Sequence, residues 1–208
     1  MSGWTQAGFE VFGQHVLWID LVGNIGALAT VWLAIRRTIW TWPVQFASSI
    51  LLLAASLQAH ITGNALKQAM FAALAVYGWV KWVRGTRGGE ALAVRPGTLR
   101  ERLTLIAVMV AATGLVAWFF MATGWSWAPW PDAYIFVGSA IATYAQGRAL
   151  IDFWWIWVAV DLVGVPLAYW SGLYVSAVVY GVFFVMVLLG VREWRRQYAG
   201  RSLEVATA

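Results

Sequence analysis

Seven apolar stretches dominate the sequence, each close to the roughly 20 helical residues that a hydrocarbon core about 30 Å thick requires. They run from Val16 to Ile35, Pro43 to Ala59, Ala65 to Val83, Leu103 to Thr123, Asp132 to Gln146, Phe153 to Trp170 and Leu173 to Val191. A chain of 208 residues that is 62% apolar and only 11% charged cannot put its charges outside and its apolar groups inside, as a soluble domain does. The expected fold is an all-α membrane protein with seven transmembrane helices. The same composition excludes several chemistries. Without cysteine there is no disulfide framework, thiolate zinc site or iron–sulfur cluster. Two histidines, His15 and His60, are too few for a histidine metal cluster, so no metal or cofactor is expected. No basic residue precedes the first apolar run in Met1-Ser2-Gly3-Trp4, which argues against a cleaved signal peptide.

A net charge of +5 suggests nucleic acid in a soluble chain, but in a membrane protein basic residues first report orientation. With seven spans, one face receives the N-terminus and the loops after spans two, four and six. That face holds only Lys67. The other holds Arg36, Arg37, Lys81, Arg84, Arg87, Arg95, Arg100, Arg102, Arg148, Arg192, Arg195, Arg196 and Arg201. Thirteen basic residues against one predict an external N-terminus and a cytoplasmic C-terminus in the plasma membrane. Tryptophans mark both boundaries: Trp125, Trp127 and Trp130 outside, and Trp40, Trp42, Trp79, Trp82 and Trp194 inside, as an aromatic belt would.

Displaced by 112 residues, the chain matches itself without gaps. Trp18 falls on Trp130, Asp20 on Asp132, Gly26 on Gly138, Arg36 on Arg148, Trp42 on Trp154, Phe71 on Phe183, Gly78 on Gly190 and Trp82 on Trp194. Over residues 18 to 82 there are 11 identities in 65 positions, an excess carried by three Trp pairs, an Asp pair and an Arg pair. Each repeat holds three spans and one span separates them, so both enter the membrane in the same direction, a parallel 3+1+3 arrangement. Residues 1–83 form the first three-helix bundle, 84–124 the linker and connecting fourth helix, 125–194 the second bundle and 195–208 a cytoplasmic tail. The linker is the only long polar segment, Arg84 to Arg102, with Gly85, Gly88, Gly89, Pro96 and Gly97.

Parallel repeats that rock against each other expose a central cleft to alternate sides, which favours transport. Catalytic signatures are missing: no H-E-x-x-H, G-x-S-x-G or P-loop occurs, so neither enzyme activity nor direct ATP drive is expected. The last span lacks the lysine that a retinal-linked pump needs. Polar residues at membrane depth then become the site candidates. In span six Trp154, Trp157 and Asp161 follow the spacing i, i+3, i+7 and share a helix face. That face suits a flat aromatic ligand with a proton for the carboxylate; it equally suits helix packing with Asp161 bonded to a neighbour. Span three offers Asn64, Gln68 and Phe71 on one stripe, beside Lys67. Asn and Gln suit an uncharged ligand rich in hydroxyls and heteroatoms, or hydrogen bonds between helices. Gln45, Ser48, Ser49 and Ser56 in span two and Tyr180 in span seven are similar, the serines favouring close helix approach. Asp20 and Asp132, at the external ends of spans one and five, read as helix caps or gates. Arg36 and Arg148 read as topology anchors, Pro166 as a kink, and His60 as a weak candidate for proton coupling.

The run Asp152-Phe-Trp-Trp-Ile-Trp-Val-Ala-Val-Asp161, followed by Val165-Pro166 and Gly172-Leu-Tyr174, resembles the signature of the Pnu-type vitamin transporters. Gln68 through Tyr77-Gly78-Trp79 and Trp82 resembles the matching signature of their third span. The stretches Trp130 to Tyr144 and Trp157 to Pro166 look most like the riboflavin-transporting, actinobacterial branch of that family. The resemblance implies a fold related to SWEET sugar transporters, a trimer in some members, and facilitated diffusion of an unphosphorylated vitamin that intracellular phosphorylation then traps. It maps the family's W-x-x-W motif onto Trp154 and Trp157 and its span-three glutamine onto Gln68. A third tryptophan, Trp155, and the small residues Ser48 and Ser49 depart from many nicotinamide riboside carriers, leaving room that a tricyclic ring could use. Riboflavin uniport by alternating access is therefore the expected function. Nicotinamide riboside or thiamine transport, and a vitamin sensor that moves nothing, are the alternatives.

Overall fold

A computed structural model describes residues 7–11, 14–58, 62–85, 93–170 and 174–207. Seven helices follow one another: α1 (Trp18–Ile35), α2 (Thr41–Gln58), α3 (Thr62–Gly85), α4 (Leu99–Thr123), α5 (Pro129–Gly147), α6 (Phe153–Trp170) and α7 (Tyr174–Thr207). All seven expected spans are thus helical. Ahead of α1 stands a feature the all-α expectation omits: β1 (Gly8–Val11) pairs antiparallel with β2 (Gln14–Leu17). Apolarity assigns Val16 and Leu17 to the first span, but Glu10, Gln14 and His15 interrupt the helical pattern, while Phe9, Val11 and Val16 favour extended backbone. At the other end α7 runs on through the expected tail to Thr207. Its continuation is rich in helix formers, and Gln197 Nε2 donates to Glu193 one turn earlier at 2.7 Å.

The chain divides into two compact units, residues 1–80 and 81–208. In the first, glycines bring helices into contact. A Cβ on Gly23 of α1 would lie 2.7 Å from Leu52 Cγ of α2, and one on Gly26 would collide with the Ser48 hydroxyl. The space that small residues leave at position 48 is therefore filled by α1. Gly78 of α3 receives the fully buried ring of Trp42, with no room for a Cβ between them. Between α1 and α2 the chain turns through Arg37 at φ +55°, with Thr38 N–H donating to Leu33 C=O and Arg37 N–H to Ala34 C=O. This is a Schellman ending built on a residue other than the usual glycine.

In the second unit the same devices recur on different residues. Gly138 of α5 lies against Val160 of α6, where an added Cβ would stand 2.5 Å from Val160 Cγ2. Gly190 of α7 receives the ring of Trp154, which also packs on Phe153, with centroids 4.3 Å apart, and edge-on to Trp194 at 5.9 Å. The α5–α6 turn passes through Ala149 at φ +55°, with Leu150 N–H donating to Ala145 C=O and Ala149 N–H to Gln146 C=O. Trp82, at the end of α3, donates its indole N–H to Gln146 C=O at 3.2 Å.

The described end of the polar linker is stitched to that turn. Arg95 N–H donates to Ala149 C=O at 3.2 Å, and Arg95 C=O accepts from Ile151 N–H at 2.9 Å. Gly97 N–H donates to Asp152 Oδ2 at 2.5 Å, and Arg102 pairs with Asp152 Oδ1 at 2.7 Å.

Outside, mid-helix apolar residues face away from the protein: Val110 of α4 is 70% exposed, Leu115 66% and Leu162 of α6 61%. Contiguous apolar exteriors of this kind belong in lipid. The aromatic belt needs one correction. Trp40, Trp79, Trp125, Trp127 and Trp130 are exposed as a belt requires, but Trp42, Trp82 and Trp194 are wholly buried. Trp42 sits in the Gly78 groove, Trp194 packs on Phe153 and Trp154, and Trp82 donates its indole N–H to Gln146 C=O; residue type alone does not distinguish these uses from a belt.

Candidate functional site

Each unit carries its own set of candidate residues. In the first, Gln45 and Gln68 are buried, yet neither side chain makes a hydrogen bond among the described residues. An amide that no neighbouring helix engages is open to a ligand or to water. Asn64 differs. Its Nδ2 donates to Ser56 Oγ at 2.7 Å, and that hydroxyl donates to Leu52 C=O at 2.6 Å, so Asn64 ties α3 to α2. Of the two roles open to it, this is the interhelical one, made through a single donor of an amide that has two. His60 lies outside the described residues.

In the second unit α6 holds Trp154, Trp157 and Asp161. Trp154 is 1% exposed, enclosed by Gly190, Phe153 and Trp194, and its Nε1 has no acceptor among the described residues. Trp157, one turn further on, keeps part of its ring accessible. Asp161 is buried, with its Oδ2 unpartnered among the described residues. Three residues beyond, Gly164 stands beside the Tyr180 ring of α7: a Cβ there would lie 3.8 Å from Tyr180 Cε1. A partly open indole, an unanswered carboxylate oxygen and a phenol therefore belong to one helix pair. Chemically this set can stack on a planar ring and accept protons from hydroxyl or imide groups.

The aspartates at helix starts act otherwise than simple caps. Leu17 is the cap residue of α1 and makes no side-chain capping bond; Asp20 stands in the first turn, where its charge complements the helix dipole, and accepts from Asn24 Nδ2 at 3.2 Å. Asp132 acts through an intermediary. It accepts from the Ser126 hydroxyl, whose oxygen accepts Ala128 N–H at 2.9 Å just ahead of α5.

Sequence reasoning missed one charged cluster, although its signal was present. Thr98-x-x-Glu101 ahead of an apolar run is a capping box, and the structure forms it reciprocally at the start of α4. Glu101 also receives both terminal nitrogens of Arg95 at 2.7 Å and Arg148 Nη2 at 2.8 Å. Arg148 is thus an ion-pair partner as well as a topology marker; Arg36, its counterpart, lies over the Trp32 ring at 4.9 Å. The hydrogen bond from Arg95, and then the Thr98 N–H, hold the Glu101 carboxyl well below the ordinary carboxylate range. A carboxyl depressed in the folded state adds stability above its unfolded value, near 4.3, and loses it as pH falls. Thermal stability in detergent is expected to fall progressively as pH drops below about 5, and Glu101→Gln to flatten that limb while lowering stability at neutral pH. An acid limb identical in the variant would refute this role.

Comparison with known proteins follows the same lines. Residues 17–196 match the family described as nicotinamide mononucleotide transporter. The riboflavin/roseoflavin transporter RibM of Streptomyces davaonensis is 46% identical over 197 residues, covering 93% of this chain and 92% of that protein. The nicotinamide riboside transporter PnuC of Escherichia coli K12 is 26% identical over 219 residues, covering 92% of each. A crystal structure of the vitamin B3 transporter PnuC superimposes with a TM-score of 0.71 at 17% identity, covering 88% of this chain and 82% of the other.

Proposed function

Because the chain belongs to the nicotinamide mononucleotide transporter family, and is a multi-pass membrane transporter, we propose that it carries riboflavin into the cell by facilitated diffusion. The observation that carries the choice of vitamin is the 46% identity, along nearly the whole chain, with a riboflavin/roseoflavin transporter, against 26% with a nicotinamide riboside transporter. Phosphorylation inside the cell would then maintain the inward gradient. We read α1–α3 and α5–α7 as parallel repeats joined through α4. Paired contacts support this: Gly78 with Trp42 and Gly190 with Trp154, Gly26 with Ser48 and Gly138 with Val160, all separated by 112 residues. The thirteen-to-one distribution of basic residues supports an external N-terminus and a cytoplasmic C-terminus. A homo-oligomer, of three copies, completes the proposal.

Within it, Trp157 and Trp154 contact the tricyclic ring, Trp157 through its accessible face and Trp154 through its unpartnered indole N–H. Asp161 and Tyr180 take ring or ribityl protons, and Gln45, Gln68 and Asn64 hydrogen-bond the polar groups of the vitamin. Asp20 and Asp132 shape the external helix ends. Proteoliposomes holding the purified protein are expected to equilibrate labelled riboflavin down its gradient, with unlabelled riboflavin competing far better than nicotinamide riboside or thiamine. Ligand-induced thermal stabilisation without flux would instead indicate a sensor. No flux and no stabilisation would remove the proposal.

A further inference from the structure

The last helix does not stop at the membrane boundary, and the face it turns to lipid ends in arginine. From Tyr174 to Val191, α7 carries no charged residue and rises about 27 Å, close to the thickness of a hydrocarbon core. Arg192 comes next, so it and the arginines after it stand at the level of the headgroups. The two sides of the helix differ. Val187, Gly190, Val191 and Trp194 are buried on the packed side. Opposite them Val185, Leu188 and Leu189 are exposed, at 57%, 42% and 48%, and the stripe runs on into Arg192, Arg195 and Arg196, all exposed. The spacing i, i+3, i+4, i+7, i+10 and i+11 keeps these six on one side of an α-helix.

No carboxylate answers this row. The ion pairs among the described residues involve Arg95, Arg102 and Arg148, and none includes Arg192, Arg195 or Arg196. Glu193, their neighbour in sequence, accepts from Gln197 Nε2 one turn further on. The row is also particular to α7. At the end of α3, the residues 112 positions earlier are Val80, Val83 and Arg84, so two of the three basic positions are apolar there. Like charges on adjacent turns repel unless an anion lies among them.

We propose that Arg192, Arg195 and Arg196 bind the headgroups of anionic phospholipids and hold them against the exposed side of α7. A guanidinium matches paired phosphate oxygens, is weakly hydrated and keeps its charge at every working pH. Because the arginines continue the stripe of Val185, Leu188 and Leu189, one lipid lays its acyl chain along those residues with its phosphate among the guanidinium groups. A zwitterionic lipid brings its own cation to the same place, which sets the preference for a net negative headgroup. The inference does not rest on the vitamin reading, since none of the residues assigned to the vitamin lies on this stripe.

The chain has no cysteine, so Leu189→Cys carrying a fluorophore reports the lipid at this one place. The labelled full-length protein is put into phosphatidylcholine nanodiscs containing brominated phosphatidylglycerol or, in parallel, brominated phosphatidylcholine, and quenching is followed over a range of mole fractions. Val110→Cys, on the exposed side of α4, gives the reference. The association constant for phosphatidylglycerol relative to phosphatidylcholine is expected to be higher at position 189 than at position 110. It should fall about fivefold with Arg192→Gln and again with Arg195→Gln, the contribution of one basic residue at an anionic surface. The comparison of the two lipids with all three arginines in place needs no arginine variant, so it decides the matter whether or not those variants fold. Equal quenching by the two lipids at position 189, a preference no greater than at position 110, or one undiminished in Arg192→Gln overturns the proposal. Absence of quenching by either lipid also overturns it, because protein would then cover this face.

Discussion

Replacing Trp154 with alanine is expected to destabilise the protein by about 3–5 kcal/mol, the range for removing a large aromatic side chain from a closed core. The ring is 1% exposed and packed against Gly190, Phe153 and Trp194, so nothing nearby can collapse into the space without moving a helix. The complementary change, Gly190→Ala, keeps the ring and removes its seat; it is expected to cost about 1–3 kcal/mol by overpacking. Because each change removes the same groove contact, the double variant should be less destabilised than the sum of the singles. Thermal unfolding in detergent reads all three. Strict additivity would mean that Trp154 draws its stability from contacts other than the Gly190 groove.

That pair also shows how far the sequence could be read. The offset of 112 residues identifies Trp42 with Trp154 and Gly78 with Gly190 as repeated residues, yet says nothing of their meeting. The informative signal is the constant spacing of 36 residues from tryptophan to glycine in both halves, a ring and the gap that admits it. Residue type alone sends Trp42 and Trp194 to the membrane boundary, where tryptophan is common, and the structure buries them. The positive φ angles at Arg37 and Ala149 were not legible, since neither residue type favours the left-handed region; each accompanies the paired hydrogen bonds of a Schellman ending. The start of α4 was legible as a capping box. Its reach to Arg148, 47 residues away, depends on topology and leaves no local trace.

The candidate site divides in the same way. Helical periodicity correctly puts Trp154, Trp157 and Asp161 on neighbouring turns of one helix, because spacing alone fixes their angular positions. It cannot tell which ring is enclosed, and that depends on a glycine on α7. It cannot tell which amide is already engaged either: Asn64 finds Ser56, whereas Gln45 and Gln68 find no partner among the described residues. Burial without a hydrogen bond is a property of packing, and among the candidates it singles out the Asp161 carboxylate and the Trp154 indole N–H.

Trp157→Ala is expected to lower riboflavin uptake at low concentration by about 30-fold, corresponding to the roughly 2 kcal/mol of an aromatic contact and its buried area. The fold should survive, since part of the ring is accessible and less packing is lost than at Trp154. Uptake and melting temperature must therefore separate: Trp157→Ala loses flux with a small shift in stability, while Trp154→Ala loses both. Trp157→Phe retains a ring on the same face and is expected to recover most of the flux at low substrate. Asp161→Asn keeps the volume but puts an NH2 where a carboxylate oxygen stood, so a vitamin that donates a proton there is expected to lose more uptake than an analogue lacking that donor. Undiminished uptake in Trp157→Ala, in a protein that still melts cooperatively, would take that ring out of the transport path and leave Trp154, Asp161 and Tyr180 as the remaining candidates in the second unit.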